Sequence, residues 1–203
     1  MVAGRPMLAW SLLAMAAAER VSAIVVAAPP GKEPEVERVA IDAGVDARAV
    51  PGGEYRSRSV ALALEHVETE AVVVHDAARP LVAALLVDEV LRRLDADHDA
   101  AAVIAATPVM DTIKEASVSR RVLRTPERSR MWAVQTPQAF WAEGLRHAVA
   151  AHPDVLGAVT DDAMLIEREG GEVLIHEAPA QNLKVTTPLD LQVAKMLLDE
   201  RER

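Results

Sequence analysis

The sequence predicts an α/β protein built on a doubly wound sheet with helices on both faces. Short β-branched runs such as Ala71–His75 alternate with longer segments of helical periodicity, the pattern typical of α/β folds. These runs are apolar at successive positions, as expected of strands buried on both faces of a sheet. With 203 residues, the chain has the size of one domain, and we expect a single domain over residues 1–203.

The apolar runs and helical segments give the elements in order. The predicted strands are Ser22–Ala28, a short strand before Pro51, Ala71–His75, Asp99–Thr107, Met131–Thr136 and Gly171–His176. The predicted helices are Met7–Arg20, Lys32–Ala43, Ser57–Val67, Ala83–Ala96, Trp141–Ala151, Asp161–Glu169 and Pro188–Glu200. Pro29 and Gly31 end the first strand, and Thr187-Pro188 with Asp190 is a strong start for the last helix.

One stretch, residues 108–130, interrupts this alternation. It contains two short β-type pieces, Asp111–Glu115 and Arg121–Thr125, and it is polar and rich in arginine. A hairpin that buries no face against its own core is only marginally stable. We therefore interpret this stretch as a β-arm that packs on a second subunit of a homodimer; a solvated surface hairpin is the alternative.

The amino-terminal part of the sequence differs from most doubly wound domains, which open with a strand. Here the chain begins with a loop and a helix, so the first strand is expected to be missing from the sheet. The apolar stretch Met7–Ala18 is followed by Glu19-Arg20 and a strand, which favours a buried helix over a signal peptide. Because no run reaches the length of a membrane span, we expect a cytoplasmic protein without membrane contact.

Composition excludes several classes of function. The chain has no cysteine and a net charge of -9, which argues against thiolate chemistry and against non-specific nucleic-acid binding. Aromatic residues make up only 2%, so base-stacking platforms are not expected. The sequence also contains neither a P-loop nor a G-x-S-x-G elbow, and its six histidines lack metal-binding spacing.

Candidate site residues follow the predicted strands, because ligands of α/β sheets bind at the carboxyl ends of strands. Asp76 comes directly after Ala71–His75, where a carboxylate suits a hard cation such as Mg²⁺. Arg79 can offer paired hydrogen bonds to a phosphate. The alternative is a helix-capping Asp76 with a solvent-facing Arg79.

Three further segments have the residue types of a phosphate or polyol site. Gly52-Gly53 permits close approach of a ligand, and Ser59 lies in the helix start that follows; a plain turn and cap is an equal alternative. Thr136, at the end of the predicted strand Met131–Thr136, can hydrogen-bond a polyol or base. Lys184 can reach a phosphate as a point charge, although a single lysine near a helix start is usually only solvated.

Together these segments resemble the 2-C-methyl-D-erythritol 4-phosphate cytidylyltransferase family over most of the chain, from about Gly4 to Leu198. The matching pieces are Gly52-Gly53 with Arg56 and Ser59, His75 to Pro80, Pro108 to Lys114, Thr125 to Arg128, Gln135 to Phe140, Thr160 to Ala163, and Asn182 to Thr186. Ribitol 5-phosphate cytidylyltransferases share part of this pattern. Ala77-Ala78 and Asp111 to Lys114 favour the erythritol enzymes.

The resemblance implies a Rossmann-like nucleotidyltransferase that transfers CMP from CTP to 2-C-methyl-D-erythritol 4-phosphate, with Mg²⁺, in non-mevalonate isoprenoid biosynthesis. By resemblance, Lys184 and Asp76 are catalytic, with Asp76 also at the metal. Substrate would be bound by Arg79 and Thr136, and by Thr112 and Arg128 reaching from the partner's arm. Gly53 and Ser59 would contact the nucleotide.

The sequence departs from the family pattern at two places. The family opens with a strand, a Gly-rich loop and a lysine that surround the CTP triphosphate, and no counterpart precedes Met7 here; Glu54 also stands where the family usually has Asp. Each absent preorganised donor would cost about 10²–10³ in rate. The expectation is a truncated start, since the substrate-side residues are in place. A weakly active or non-catalytic sugar-phosphate-binding relative, and a ribitol 5-phosphate enzyme, are the alternatives.

Overall fold

The computed structural model describes residues 1–201 and contains seven α-helices, two short 3₁₀ helices (Arg128–Arg130 and Pro153–Val155) and eight strands in that part of the chain. The helices are α1 (Met7–Ala16), α2 (Glu33–Asp42), α3 (Arg56–Leu64), α4 (Ala84–Ala96), α5 (Ala142–Ala151), α6 (Ala163–Arg168) and α7 (Pro188–Arg201). The strands are β1 (Val25–Ala28), β2 (Arg48–Pro51), β3 (Ala71–Val74), β4 (Ala100–Pro108), β5 (Glu115–Ala116), β6 (Val122–Arg124), β7 (Trp132–Trp141) and β8 (Glu172–Glu177).

The main sheet has four strands in the order β3-β7-β4-β8. β4 and β8 pair in parallel, whereas β7 runs antiparallel to both of its neighbours. The sheet is therefore mixed. β7 also continues through Pro137 to Trp141, five residues beyond the predicted end at Thr136.

Helices cover both faces of this sheet, which confirms the predicted doubly wound architecture. Val103 and Ala105 of β4 pack with α4 in one core, while Ala102 and Ile104 pack with α5 and α6 in the other. All four side chains are at most 5% exposed. Successive residues of a strand point to opposite faces, so burial on both sides explains the continuous apolar run in the sequence.

A second sheet consists of β1 and β2, paired in parallel. One face of this sheet packs on Leu12 of α1 and Ala40 of α2, and on Val45, which follows α2. In the described part of the chain, β1 is not hydrogen-bonded to β3. A cleft of about 760 Å³ separates these two strands. The described chain before α1 forms only an isolated bridge between Val2 and Arg5, and no sheet strand.

The predicted arm contains a hairpin of β5 and β6, paired antiparallel, which projects from the main sheet. Both strands are exposed along their whole length. Val118, Val122 and Leu123 are more than half exposed, and Arg124 pairs with Glu115 across the hairpin.

The other predicted elements are present with ends shifted by a few residues. The largest changes are in α1, which ends at Ala16 rather than Arg20, and in the predicted piece Asp111–Glu115, of which only Glu115 belongs to β5. α7 begins at Pro188 as predicted, and the Asp190 carboxylate accepts the backbone N–H groups of Thr186 and Thr187. Within residues 1–201, no helix is long and apolar enough to cross a membrane.

Candidate active site

Asp76 lies at the centre of a charged cluster beyond the carboxyl end of β3. One carboxylate oxygen accepts a 2.7 Å hydrogen bond from Arg56 Nε, and the other accepts a 2.8 Å bond from Lys184 Nζ. Arg56 begins α3, and Lys184 lies on the segment between β8 and α7. Three distant parts of the sequence thus place two cations on one carboxylate at the end of the sheet where ligands of α/β folds bind.

Arg56 also reaches a second carboxylate, which extends the cluster into the interior. Arg56 Nη1 donates to Asp162 Oδ2 at 2.7 Å, and the Asp162 side chain is only 1% exposed. Sequence analysis treated Asp162 as a residue of a helix start and gave Arg56 no role. The structure instead shows Arg56 as a bridge between Asp76 and Asp162, while Asp161 accepts the Met164 N–H at the beginning of α6.

The cluster shifts the pKa values of its two carboxylates, Asp76 and Asp162, in opposite directions. Burial alone would raise the pKa of Asp76, but the charges and hydrogen bonds of Arg56 and Lys184 outweigh it and lower that pKa to about 2. Burial raises the pKa of Asp162, and together with the charges of Asp161 and Asp76 it outweighs the opposite effect of Arg56. The charges and hydrogen bonds of these two carboxylates raise the pKa of Arg56, although its burial alone would lower it. Asp76 is therefore the stronger acid of the two, and Asp162 is the weaker.

A chain of hydrogen bonds fixes the backbone of Asp76. The Asp76 N–H donates to Thr136 Oγ1 at 3.0 Å, and that hydroxyl lies 3.1 Å from His75 Nδ1. His75 Nε2 lies 3.2 Å from the Arg79 carbonyl oxygen, which can only accept. Nε2 thus carries the proton, and Nδ1 accepts from Thr136. Burial lowers the pKa of His75 to about 4, so the ring is neutral at pH 7.

Arg79 and Asn182 tie β7 to the segment that carries Lys184. The Asn182 amide donates to Gln135 Oε1 at 2.8 Å and to the Thr136 carbonyl at 2.9 Å. Arg79 Nη1 donates to the Asn182 carbonyl at 2.8 Å. Burial lowers the pKa of Arg79, and its Nε has no protein partner within the described chain. Asn182, to which sequence analysis gave no role, holds Lys184 in place.

The Gly52-Gly53 turn lies beside the carboxyl end of β1. A Cβ on Gly52 would come within 2.9 Å of both the Ala28 carbonyl and Ser59 Oγ, and one on Gly53 would overlap Arg58. Ser59 Oγ accepts the Gly53 N–H at 3.0 Å. Glycine is therefore required here for close packing of the turn on α3.

Two predicted site residues, Thr112 and Arg128, lie on the exposed arm instead of near Asp76. Arg128 donates to the Met110 carbonyl at 2.8 Å, and Thr112 is exposed. Neither is hydrogen-bonded or ion-paired to the Asp76 cluster in the part of the chain that the structure describes. The structure thus brings together Asp76, Lys184, Thr136 and Arg79. Gly53 and Ser59 lie beside the carboxyl end of β1.

The donor set around Asp76 limits how a metal could be held. No group of three or more His, Asp or Glu side chains within residues 1–201 is arranged to hold a metal ion. Asp76 offers one carboxylate whose two oxygens already accept from Arg56 and Lys184. Such a site fits Mg²⁺ only where phosphate oxygens supply most ligands, as is common for this ion.

The fold and this cluster define the class as a doubly wound α/β protein with a cationic crevice suited to phosphoryl chemistry. Comparison with known proteins narrows this class to one family. The family model described as 2-C-methyl-D-erythritol 4-phosphate cytidylyltransferase matches residues 1–200. The chain belongs to this family, which consists of nucleotidyltransferases, as the sequence resemblance predicted.

Individual members of this family are similar to the chain over nearly its whole length. The enzyme of that name from Streptomyces avermitilis is 42% identical over 98% of this chain and 82% of its own length. That from one strain of Prochlorococcus marinus is 40% identical over 98% of this chain and 88% of its own length. The crystal structure of the Thermus thermophilus enzyme superposes with a TM-score of 0.81 and 35% identity, covering 98% of this chain and 91% of that one. These names do not favour the ribitol or non-catalytic alternatives.

Proposed function

We propose that this protein transfers CMP from CTP to 2-C-methyl-D-erythritol 4-phosphate and releases pyrophosphate, a step of isoprenoid biosynthesis. The observation that carries the proposal is the pairing of Asp76 with Arg56 and Lys184 at the carboxyl ends of the strands, in a chain of this family. The two cations held on Asp76 lie at the end of the sheet where ligands of α/β folds bind, in position to meet the phosphates of a nucleotide.

In the reaction, a phosphate oxygen of the sugar alcohol attacks the α-phosphorus of CTP. The bond from that phosphorus to the oxygen bridging the β-phosphate breaks, and pyrophosphate leaves with the electron pair. Such transfers depend on positioning and on charge neutralisation rather than on a covalent enzyme intermediate. Lys184, which pairs with Asp76 and whose side chain is 42% exposed, is the group that stabilises charge on the α-phosphate in this proposal.

The remaining residues take binding roles in this proposal. Gly53 and Ser59 contact the nucleotide beside β1. Arg79 offers its unpartnered Nε to the sugar alcohol, and Thr136 keeps an acceptor lone pair for a substrate hydroxyl. Asp76 would be the protein ligand of Mg²⁺ bound together with CTP, and the ion would supply neutralisation of the phosphate charge.

The arm supplies the part of the site that one protomer lacks. Thr112 and Arg128 are exposed and lie outside the Asp76 cluster, and the adjacent hairpin exposes Val118, Val122 and Leu123. We therefore propose a homodimer in which each arm brings these residues to the sugar phosphate in the partner's site. The reaction is placed in the cytoplasm because CTP is available there.

Pyrophosphate release from CTP, 2-C-methyl-D-erythritol 4-phosphate and Mg²⁺ tests the proposal. We expect turnover that falls by at least about 10²-fold in Lys184→Ala and remains unchanged in Lys195→Ala, a matched exposed lysine on α7. Equal turnover with ribitol 5-phosphate would overturn the substrate assignment. Equal turnover in both lysine variants would overturn the role of Lys184.

A further inference from the structure

The turn after β3 carries two of the groups that act in the proposed reaction, with Asp76 at its first position and Arg79 at its fourth. The Arg79 N–H donates to the Asp76 carbonyl at 2.9 Å, which closes the turn. The Val185 N–H donates to the Ala78 carbonyl at 2.8 Å and fixes the turn on the segment that carries Lys184. The conformation of this turn therefore determines how the Asp76 carboxylate and the Arg79 guanidinium lie relative to each other.

The His75 imidazole supports this turn at both of its ends. Its Nδ1 lies 3.1 Å from Thr136 Oγ1, and that hydroxyl accepts the Asp76 N–H at 3.0 Å. Its Nε2 lies 3.2 Å from the Arg79 carbonyl oxygen, which the Val82 N–H also approaches, at 3.4 Å. Together with the bond that closes the turn, these contacts form a closed circuit of hydrogen bonds that passes through one ring.

The direction of the bonds in this circuit is fixed by its backbone groups. A carbonyl oxygen can only accept, so His75 Nε2 donates to Arg79. A backbone N–H can only donate, so Thr136 Oγ1 accepts from Asp76 and directs its own hydrogen to His75 Nδ1. The circuit therefore requires a ring that donates at Nε2 and accepts at Nδ1, which is one tautomer of neutral histidine.

We propose that His75 is a positioning residue whose two ring nitrogens hold the two ends of this turn in the geometry that the reaction needs. The inference rests on the proposed function. The Nδ1 side supports Asp76 and, through its carboxylate, Lys184 at the transferred phosphate. The Nε2 side supports Arg79, which meets the sugar alcohol. The two nitrogens therefore affect different kinetic constants, kcat in the first case and KM for the sugar phosphate in the second.

Two substitutions separate the two sides of the ring. The amide group of an asparagine occupies the position of Nδ1, whereas that of a glutamine, one methylene longer, occupies the position of Nε2. His75→Asn therefore keeps an acceptor for the Thr136 hydroxyl and loses the bond to the Arg79 carbonyl. His75→Gln keeps the donor to that carbonyl and leaves the Thr136 hydroxyl without its acceptor.

Steady-state pyrophosphate release by the full chain tests this separation. We expect His75→Gln to lower kcat by at least about tenfold with little change in KM, and His75→Asn to raise KM for the sugar phosphate by at least about tenfold. His176→Gln, in a histidine of β8 that pairs with Glu89 of α4, should change neither constant. Loss of folded protein would lower kcat in both His75 variants and leave KM unchanged. That pattern, or parent-like constants in both variants, would overturn the proposal.

The ring nitrogens of the unaltered protein give a measurement that does not depend on activity. In protein labelled with ¹⁵N at histidine, the imidazole signals that disappear in His75→Gln belong to His75. We expect them to show a protonated Nε2 and an unprotonated Nδ1 at pH 7. A protonated Nδ1 would overturn the positioning role even where turnover supports the proposed function. A parent protein with the expected tautomer and no turnover would instead overturn the proposed function, and the kinetic role of His75 with it.

Discussion

Asp76 contributes to stability in addition to its proposed catalytic role, because two cations hold its ionised form. Its pKa falls from 3.8 to about 2 on folding. A carboxyl group with a lowered folded pKa stabilises the protein above its unfolded value, and this contribution disappears as the pH falls through the folded value. Two pKa units correspond to roughly 2–3 kcal/mol.

We therefore expect Asp76→Asn to lower the free energy of unfolding by about 2 kcal/mol at pH 7. The deficit should shrink between about pH 4 and pH 2, since the parent carboxyl becomes protonated there. Urea unfolding across this pH range measures it, with Asp46→Asn, on an exposed loop, as the control. A deficit that stays constant down to pH 2 would show that the ion pairs do not cause it.

The Thr136 hydroxyl has two internal partners, the Asp76 N–H and His75 Nδ1. Thr136→Val keeps the shape of the side chain but leaves both partners unsatisfied in a mostly buried site, at a cost of about 1–3 kcal/mol. Thr136→Ser retains the hydroxyl and should lose much less. Thermal unfolding of both variants checks this, and equal losses would mean that packing of the methyl group is what matters.

Sequence reasoning located Asp76 and Lys184, since strand ends and helix starts can be recognised from local residues. It could not pair them, because their contact spans 108 positions. The role of Arg56 was missed for the same reason: its partners lie 20 and 106 positions away. The sequence features that could have indicated this role are Arg56 at a helix start and the adjacent acids Asp161 and Asp162.

Among the elements, the alternation of strands and helices was predictable, but the direction of β7 was not. An apolar run indicates burial and carries no information on whether its neighbours are parallel. β7 follows β4 through the arm, a hairpin-like connection, which places the two strands antiparallel. Its extension past Pro137 was missed because proline is typically a strand breaker.

The arm leads to a prediction about assembly. Val122 and Leu123 are 60% and 62% exposed on β6, and a partner that covers them would bury apolar surface. Leu123→Ser should weaken dimerisation without lowering the stability of the protomer, because Leu123 has little core contact to lose. Sedimentation at several concentrations measures this, with Leu189→Ser, at 67% exposure on α7, as the control. A parent protein that is monomeric at all concentrations would contradict the prediction.

The whole assembly determines whether one polypeptide contains a complete site. Lys184 is tied to Asp76 in the main body, while Arg128 lies on the arm, so a site shared between protomers draws these residues from different chains. Arg128→Ala should raise KM for the sugar phosphate far more than for CTP, and Lys184→Ala should mainly lower kcat. Each variant alone would leave both sites of its homodimer defective.

Mixing the two variants, at a sugar-phosphate concentration far below the KM of Arg128→Ala, distinguishes shared from self-contained sites. A mixed dimer has one site with both defects and one with neither, so random reassortment should restore about a quarter of the parent activity. If the arm served its own protomer, every site would retain one defect and no activity would return. Steady-state turnover after dissociation and reassociation measures the recovery. Repeating the mixture with Leu123→Ser added to both chains should abolish it, because recovery requires the dimer.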